Sequence, residues 1–236
     1  MFIQIDDDYL NKLRESEKRI PFQDYGQGHF KPFFEVFRIQ GTELSYVSQI
    51  SHPKPRVHDM QEQDDMVKLY NDKNEIIGVV NLNFMFPVFR DKLVEYDETM
   101  IRQQYEPKSQ KEIDEILYRF QMYENEFDRE FVSDKAIMMY QLKLEEPESD
   151  IAKRSLDFKE LEAQAVAYQL NDYLSFVSDS FQVNVTRDGE RFIIRDDSDY
   201  YKSISYRHLS KTNIQNLLIE MTQEMNFESI SVPAKN

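Results

Sequence analysis

The chain has 236 residues, of which 40% are hydrophobic and 13% aromatic, enough for a packed core, and this excludes wholesale disorder. Its 29 basic side chains stand against 44 acidic ones, and the net charge of −15 argues against nonspecific nucleic-acid binding through counterion release over the whole surface. Cys is absent and there are only 5 Gly, which excludes disulfides, thiolate metal sites, a Cys nucleophile and glycine-rich phosphate loops. No apolar run approaches the roughly 20 residues of a membrane span. The first residues lack the basic start and apolar stretch of a signal peptide, so a soluble cytoplasmic protein is expected.

Residues 2–5 alternate apolar and polar side chains, as a first or edge strand does. Asp6, Asp7 or Asp8 offers an oxygen to the free N–H groups of a following helix, whose apolar face is Leu10 and Leu13. Tyr9 falls in the first turn of that helix, where packing into the core is the ordinary reading. Residues 18–30 are polar and contain Pro21, Gly26 and Gly28, the composition of a loop. The aromatic and β-branched run 33–39 predicts a strand, Gly41 a turn, and 44–50 the return strand of a hairpin. Antiparallel pairing would bring Lys31, before the first strand, to the same end of the sheet as Ser51, after the second.

The second strand of this hairpin delivers Ile50-Ser51-His52-Pro53-Lys54-Pro55-Arg56-Val57-His58. Each proline removes a ladder donor and fixes φ, so a stiff loop is expected. It carries a hydroxyl (Ser51), two imidazoles (His52, His58) and two cations (Lys54, Arg56), with His29 and Lys31 a short way upstream. These groups supply what phosphoryl chemistry needs: proton acceptors and donors, and positive charge for a phosphoryl oxygen. Polar loops with proline are usually structural, and Lys31 alone would read as a solvated lysine. The convergence of the hairpin ends is what singles these residues out. A metal site from His52, His58 and Asp59 has no supporting ligand pattern, so no metal or cofactor is expected.

Further along, residues 66–70 read as a strand, Asn71-Asp72-Lys73-Asn74 as a turn, and 76–82 as a core strand bending into 84–88. Met60 and Met85 read as core fillers. Ser109 and Glu112 have capping-box spacing and introduce the stripe Ile113, Ile116, Leu117, Phe120 of an amphipathic helix, followed by a second helix over 127–144. The acidic, proline-broken stretch 145–150 is the candidate linker between a domain at 1–144 and a C-terminal extension at 151–236. In the extension, Asp157 and Glu160 introduce a helix to about 177, and Asp188-Gly189 joins strands at 182–186 and 190–194. A strand at 200–206 and a helix at 212–225 follow.

Several of these pieces together resemble the ToxN/AbiQ family, the toxins of type III toxin–antitoxin systems. The resemblance rests on Tyr9 at the Asp-rich helix start, Lys31-Pro32-Phe33-Phe34 opening a strand, and Tyr46 to Lys54 ending the next. It continues in Gly78-Val79-Val80-Asn81-Leu82-Asn83-Phe84-Met85-Phe86-Pro87-Val88 and in the helices around 117–123 and 135–140, and so covers about residues 1–144. It implies an α+β fold, a compact and strongly twisted antiparallel sheet flanked by helices; the α/β C-terminal extension exceeds the family's usual tail. It further implies a metal-independent, sequence-selective endoribonuclease acting in growth inhibition and abortive phage defence. A small structured antitoxin RNA, which the toxin cuts from a repeat array, is the implied inhibitor, and a protein–RNA hetero-oligomer the implied assembly.

By motif position, Tyr9, Lys31, Ser51, His52 and Lys54 fall on family active-site positions, with His52 where the family commonly has a second hydroxyl. The expected reaction uses the substrate's 2′-OH as nucleophile and leaves 2′,3′-cyclic phosphate and 5′-OH ends. Lys31 and Lys54 would stabilise the phosphorane, Ser51 would hydrogen-bond the phosphate or the 2′-OH, and His52 and His58 would exchange protons. Tyr9 and Tyr46 are candidates for stacking bases, and His29 and Arg56 for touching cellular or phage RNA. The alternative is a non-catalytic RNA-binding or protein-interaction module. A further one is a cleaving toxin whose extension serves assembly.

Overall fold

Apolar and aromatic runs in the N-terminal half pair into a single sheet whose central strand is buried on both faces. The structure, a computed structural model, describes residues 2–26, 29–105, 108–175, 182–195 and 201–224; Gly28 and the expected element ends at 177, 200 and 225 lie outside them. The strands of this half are β1 (Ile3–Ile5), β2 (Phe33–Arg38), β3 (Leu44–Ser51), β4 (Met66–Tyr70), β5 (Ile76–Asn81), β6 (Phe86–Phe89) and β7 (Leu93–Glu95). Their order is β4-β5-β3-β2-β1-β7, with β6 also paired to β3. β1 runs antiparallel to β2 and β7, and β5 antiparallel to β3 and β4. Helices α1 (Asp7–Ser16), α2 (Pro55–Asp59), α3 (Glu98–Gln104), α4 (Gln110–Glu126), α5 (Arg129–Glu145) and α6 (Asp150–Arg154) accompany the sheet. The α+β expectation therefore holds. None of the described helices is long and apolar enough to cross a membrane.

Local chemistry explains most element ends. Asp6 caps α1 by accepting from Tyr9 N, and Ser109 and Glu112 complete a capping box on α4. The stiff stretch after β3 is not all loop. Pro55 starts the single turn α2, because at the first helical position its fixed φ fits and its missing N–H costs no helical bond. The core strand after Asn74 ends at Asn81, and a short 3₁₀ turn, Leu82–Phe84, makes the bend into β6.

The described residues divide into two compact units, 1–37 with 45–158, and 38–44 with 159–236. The acidic stretch 145–150 thus lies inside the first unit. There Ser149 caps α6, and Arg154 of α6 pairs with the buried Asp65 at 2.6 Å. The core of this unit is aromatic. Phe33 meets Phe86 edge-on at 5.4 Å, Tyr46 stacks on Phe37 at 4.7 Å, and Tyr140 and Phe158 close over Tyr46 at 5.3 and 5.6 Å.

The second unit holds α7 (Phe158–Leu174, beyond its first residue), the three-stranded sheet of β8 (Asn184–Asp188), β9 (Arg191–Arg195) and β10 (Tyr201–Ser205), and α8 (Lys211–Glu224). Gly189, at φ 55°, makes the predicted β8–β9 turn. Glu162 and Arg187 form a buried ion pair, with the Tyr206 hydroxyl donating to Glu162 at 2.9 Å.

Gly78 in β5 has no room for a side chain. A Cβ there would stand 2.7 Å from Ile50 Cγ2, 3.2 Å from the Tyr123 ring and 3.3 Å from Leu69 Cδ1. Gly78→Ala should therefore cost about 1–3 kcal/mol of stability through overpacking, read as a lowered urea midpoint. An unchanged midpoint would show that β3, β5 and α4 do not meet this closely.

Candidate functional site

The β2–β3 hairpin brings the residues before β2 and after β3 to one end of the sheet, as the sequence predicts. Lys31 is fixed there by its backbone. Its N–H donates to Gln23 O at 2.8 Å, and its carbonyl accepts from Gln49 Nε2 at 2.8 Å. Lys31 and His52 line one cavity of about 290 Å³ together with His29, Lys108 and Arg119. The cavity's apolar lining comes from Phe2, Phe30, Ile50, Ile116, Phe120 and Tyr123, so α4 forms much of its wall. Two carboxylates, Glu112 and Glu115, also line it. Glu112 is held by the Ser109 N–H and hydroxyl at 2.8 and 2.7 Å, and those hydrogen bonds keep its carboxyl below the ordinary range.

The charges at this cavity are unusual for so acidic a chain. Arg119 Nη1 lies 3.0 Å from His52 Nε2. A guanidinium only donates, so Nε2 accepts, and the neutral ring must carry its proton on Nδ1. Partial burial, then the charges of Arg119 and Lys31, hold the His52 pKa below the ordinary imidazole value. Burial, then the charge of Lys54, lowers the Lys31 pKa in the same way. Among the described residues, none of Lys31, Lys54 and Arg119 is ion-paired with a carboxylate, although the chain has 44. Lys31 and Arg119, beside an imidazole that accepts at Nε2, can together receive an anion and a proton, although Glu112 and Glu115 line the same cavity.

The structure separates the other candidates. Ser51 is half-buried at the end of β3, opposite Val79 of β5; its neighbours Ile50 and His52 line the cavity and it does not, as strand alternation requires. Its hydroxyl makes no hydrogen bond to any described residue. Lys54 is exposed just before α2, and Arg56 and His58 are exposed on α2, outside the cavity lining. Tyr9 and Tyr46 have no exposed surface. The Tyr9 hydroxyl donates to Pro87 O at 3.0 Å, and Tyr46 sits within the aromatic core, so neither ring presents a face to a base in this structure.

Arg119 and Lys108 were not among the sequence candidates. The signal for Arg119 was its place on α4 between Ile116 and Phe120 of the apolar stripe, where it reads as a solvated charge until the wall is seen. Among the described residues, no group of three His, Asp or Glu side chains is placed to hold a metal ion.

Residues 1–166 match the family described as "Toxin ToxN, type III toxin-antitoxin system". No curated protein matches the chain. Among solved structures, a chain described with bacterial type III toxin–antitoxin systems, and with selective toxin inhibition by a non-coding RNA pseudoknot, is similar. Its identity is 22% and the TM-score 0.54, over 71% of this chain and 96% of that one. AbiQ, described as a lactococcal anti-phage endoribonuclease of the type III toxin–antitoxin system, is 18% identical with a TM-score of 0.54 over 71% and 96%. A chain described with a bacterial antiviral system regulated by a processed non-coding RNA is 21% identical with a TM-score of 0.52 over 68% and 94%. At these identities the likeness is one of fold.

The His52–Arg119 pairing is testable apart from any activity. In an NMR titration, His52 should titrate below about 6.5. Arg119→Gln removes a like charge and should move the midpoint up, though not fully, because burial is the larger cause. A midpoint unmoved by Arg119→Gln would separate the two side chains.

Proposed function

Because the chain belongs to the ToxN family of toxins of type III toxin–antitoxin systems, we propose that it is a metal-independent endoribonuclease that cuts at the mouth of the Lys31–His52–Arg119 cavity. The observation that carries this reading is the placing of Lys31 and Arg119, neither ion-paired with a described carboxylate, against an imidazole whose pKa is lowered, with Lys54 acting on Lys31. In a chain of net charge −15 such a cluster draws a polyanion to one place and repels it elsewhere. The similar folds support RNA as that polyanion. One is described as an endoribonuclease and another with a toxin inhibited by an RNA pseudoknot.

In the proposed reaction the 2′-OH of the substrate attacks the adjacent phosphorus, and the 5′-oxygen leaves. His52 Nε2 takes the 2′-OH proton once Arg119 turns from it to the phosphate. Arg119 in the wall and Lys54 outside the lining stabilise the equatorial oxygens of the phosphorane, while Ser51, on the other face of β3, takes no direct part. Lys31, made more acidic by burial and by Lys54, gives the 5′-oxygen its proton. The products carry 2′,3′-cyclic phosphate and 5′-OH ends. A structured antitoxin RNA, processed by the toxin itself, occupies the same cationic mouth and so blocks it, in a cytoplasmic protein–RNA assembly released during phage infection. A second reading has one specific observation in its favour. Arg119 occupies the lone pair of His52 in this structure, as it would in a module that binds RNA without cutting it.

The test is incubation with total RNA in EDTA, followed by mapping of the ends. Wild type should cut and leave cyclic phosphates. His52→Gln, Lys31→Met and Lys54→Ala should each cut about 10²-fold more slowly, or worse. Binding without cutting by wild type would select the second reading.

The pH profile of kcat/KM gives an independent check, since it reports groups of the free enzyme. The neutral His52 is the active form, so the rate should rise with pH along a limb centred below about 6.5. The charged Lys31 is the active form of the acid, so the rate should fall again below the ordinary lysine value of about 10.4. In Arg119→Gln the acid limb should move to higher pH; an acid limb absent between pH 4 and 8 would remove His52 from the mechanism.

A further inference from the structure

Two aromatic side chains stand in solvent beside Lys31. Phe22 and Tyr25 are each 47% exposed and meet edge-on at 5.9 Å. Each has a cation over its ring: the Arg14 guanidinium lies 3.4 Å from the Phe22 centroid, and the Lys31 ammonium 4.8 Å from the Tyr25 centroid. Among the described residues, Arg14 has no carboxylate partner either.

The pair is held in place. Phe22 O accepts from Gln49 Nε2 at 2.7 Å, the Tyr25 hydroxyl lies 3.4 Å from Gln49 Oε1, and Tyr25 N–H donates to His29 O at 2.9 Å. Fixed, half-exposed rings flanked by cations are what a single-stranded nucleic acid meets on a stacking surface: a π-face for the base and charge for the phosphate.

Resting on the nuclease reading above, we propose that Phe22 and Tyr25 form the stacking platform for the base of single-stranded RNA next to the phosphate held at Lys31. Lys31 belongs to both sites, since it lines the cavity and covers Tyr25, so the base and the phosphate lie on one continuous path. The platform takes the part that Tyr9 and Tyr46, being buried, leave open. Stacking accepts any base, so the platform sets affinity for RNA and leaves the choice of sequence to other contacts.

The test uses the full chain and a 2′-fluoro RNA oligonucleotide, which has no 2′-hydroxyl to attack, with 2-aminopurine placed at successive positions. Wild type should bind it and quench the fluorophore strongly at one position. Tyr25→Ala and Phe22→Ala should each weaken binding about 10-fold, the scale of one lost base stack, and relieve that quench. Tyr25→Leu keeps apolar bulk in case the alanine variant folds poorly, and should lose the quench too; Tyr25→Phe keeps the ring and should retain it. His52→Gln should keep the quench while losing cleavage of unmodified RNA.

Unchanged affinity and quench in Tyr25→Ala, Tyr25→Leu and Phe22→Ala overturn the platform. If those variants and wild type still cut unmodified RNA, the nuclease reading survives. Wild type that neither binds nor cuts RNA overturns both, and self-association lost in Tyr25→Leu would reassign the rings to a protein interface.

Discussion

A single buried amide, the side chain of Gln49, fixes the loop that carries the candidate site. Gln49 lies in β3 with 5% of its surface exposed, and its Nε2 donates to Phe22 O at 2.7 Å and Lys31 O at 2.8 Å. A second buried amide, Gln23, does the same toward the first strand. Its side chain accepts from Ile5 N at 3.0 Å and donates to Ile5 O at 2.8 Å, while its own carbonyl accepts from Lys31 N. Backbone groups of an irregular segment must find partners when buried, and here two glutamines supply them. Losing either would strand buried carbonyls at about 1–3 kcal/mol each. Lys31 and the Phe22 carbonyl therefore stand on the sheet through side-chain amides, although the segment itself has little regular structure.

The hairpin, the capping box and the convergence of Lys31 with the end of β3 were legible in the sequence because each depends on short-range pattern. Strand alternation, a turn glycine and Ser-x-x-Glu spacing are local rules. Arg119 was not legible. It comes from 67 residues beyond His52 and faces it only because α4 packs its apolar stripe toward the same cavity. The aromatic loop residues were likewise hidden, since whether a Phe or Tyr is covered depends on its neighbours in space. For the same reason Tyr9 and Tyr46, which look alike in sequence as RNA contacts, both lie beneath the surface. The acidic run 145–150 reads as a linker by composition. Pro147 ends α5 there, yet Ser149 at once starts α6, and the chain stays with the first unit until residue 158.

Charge sets the candidate site apart from its surroundings only in part. Several cations elsewhere among the described residues are held in short-range pairs, such as Arg102 with Glu98 at 2.7 Å, Arg154 with the buried Asp65 at 2.6 Å and Lys12 with Glu15 at 2.6 Å. Lys31, Lys54, Arg119 and Arg14 are not held in this way. Exposed pairs contribute little stability, so leaving these four unpaired costs the fold little. Burial first, and then the neighbouring cations, lower the proton affinities of His52 and Lys31.

The second unit is built from two separate stretches of chain. The tip of the β2–β3 hairpin, residues 38–44, groups with residues 159–236, and Glu43 N–H donates to Leu209 O at 3.0 Å. A chain divided after residue 158 therefore yields two polypeptides that are not independent domains. The larger one keeps the hairpin tip that the smaller one needs to complete its own unit. Such a pair behaves as a lock and its missing key. Expressed separately, the fragments have a ready-made element for reassembly, and deletion of the C-terminal stretch alone leaves an uncovered turn at the far end of the hairpin that positions Lys31 and His52.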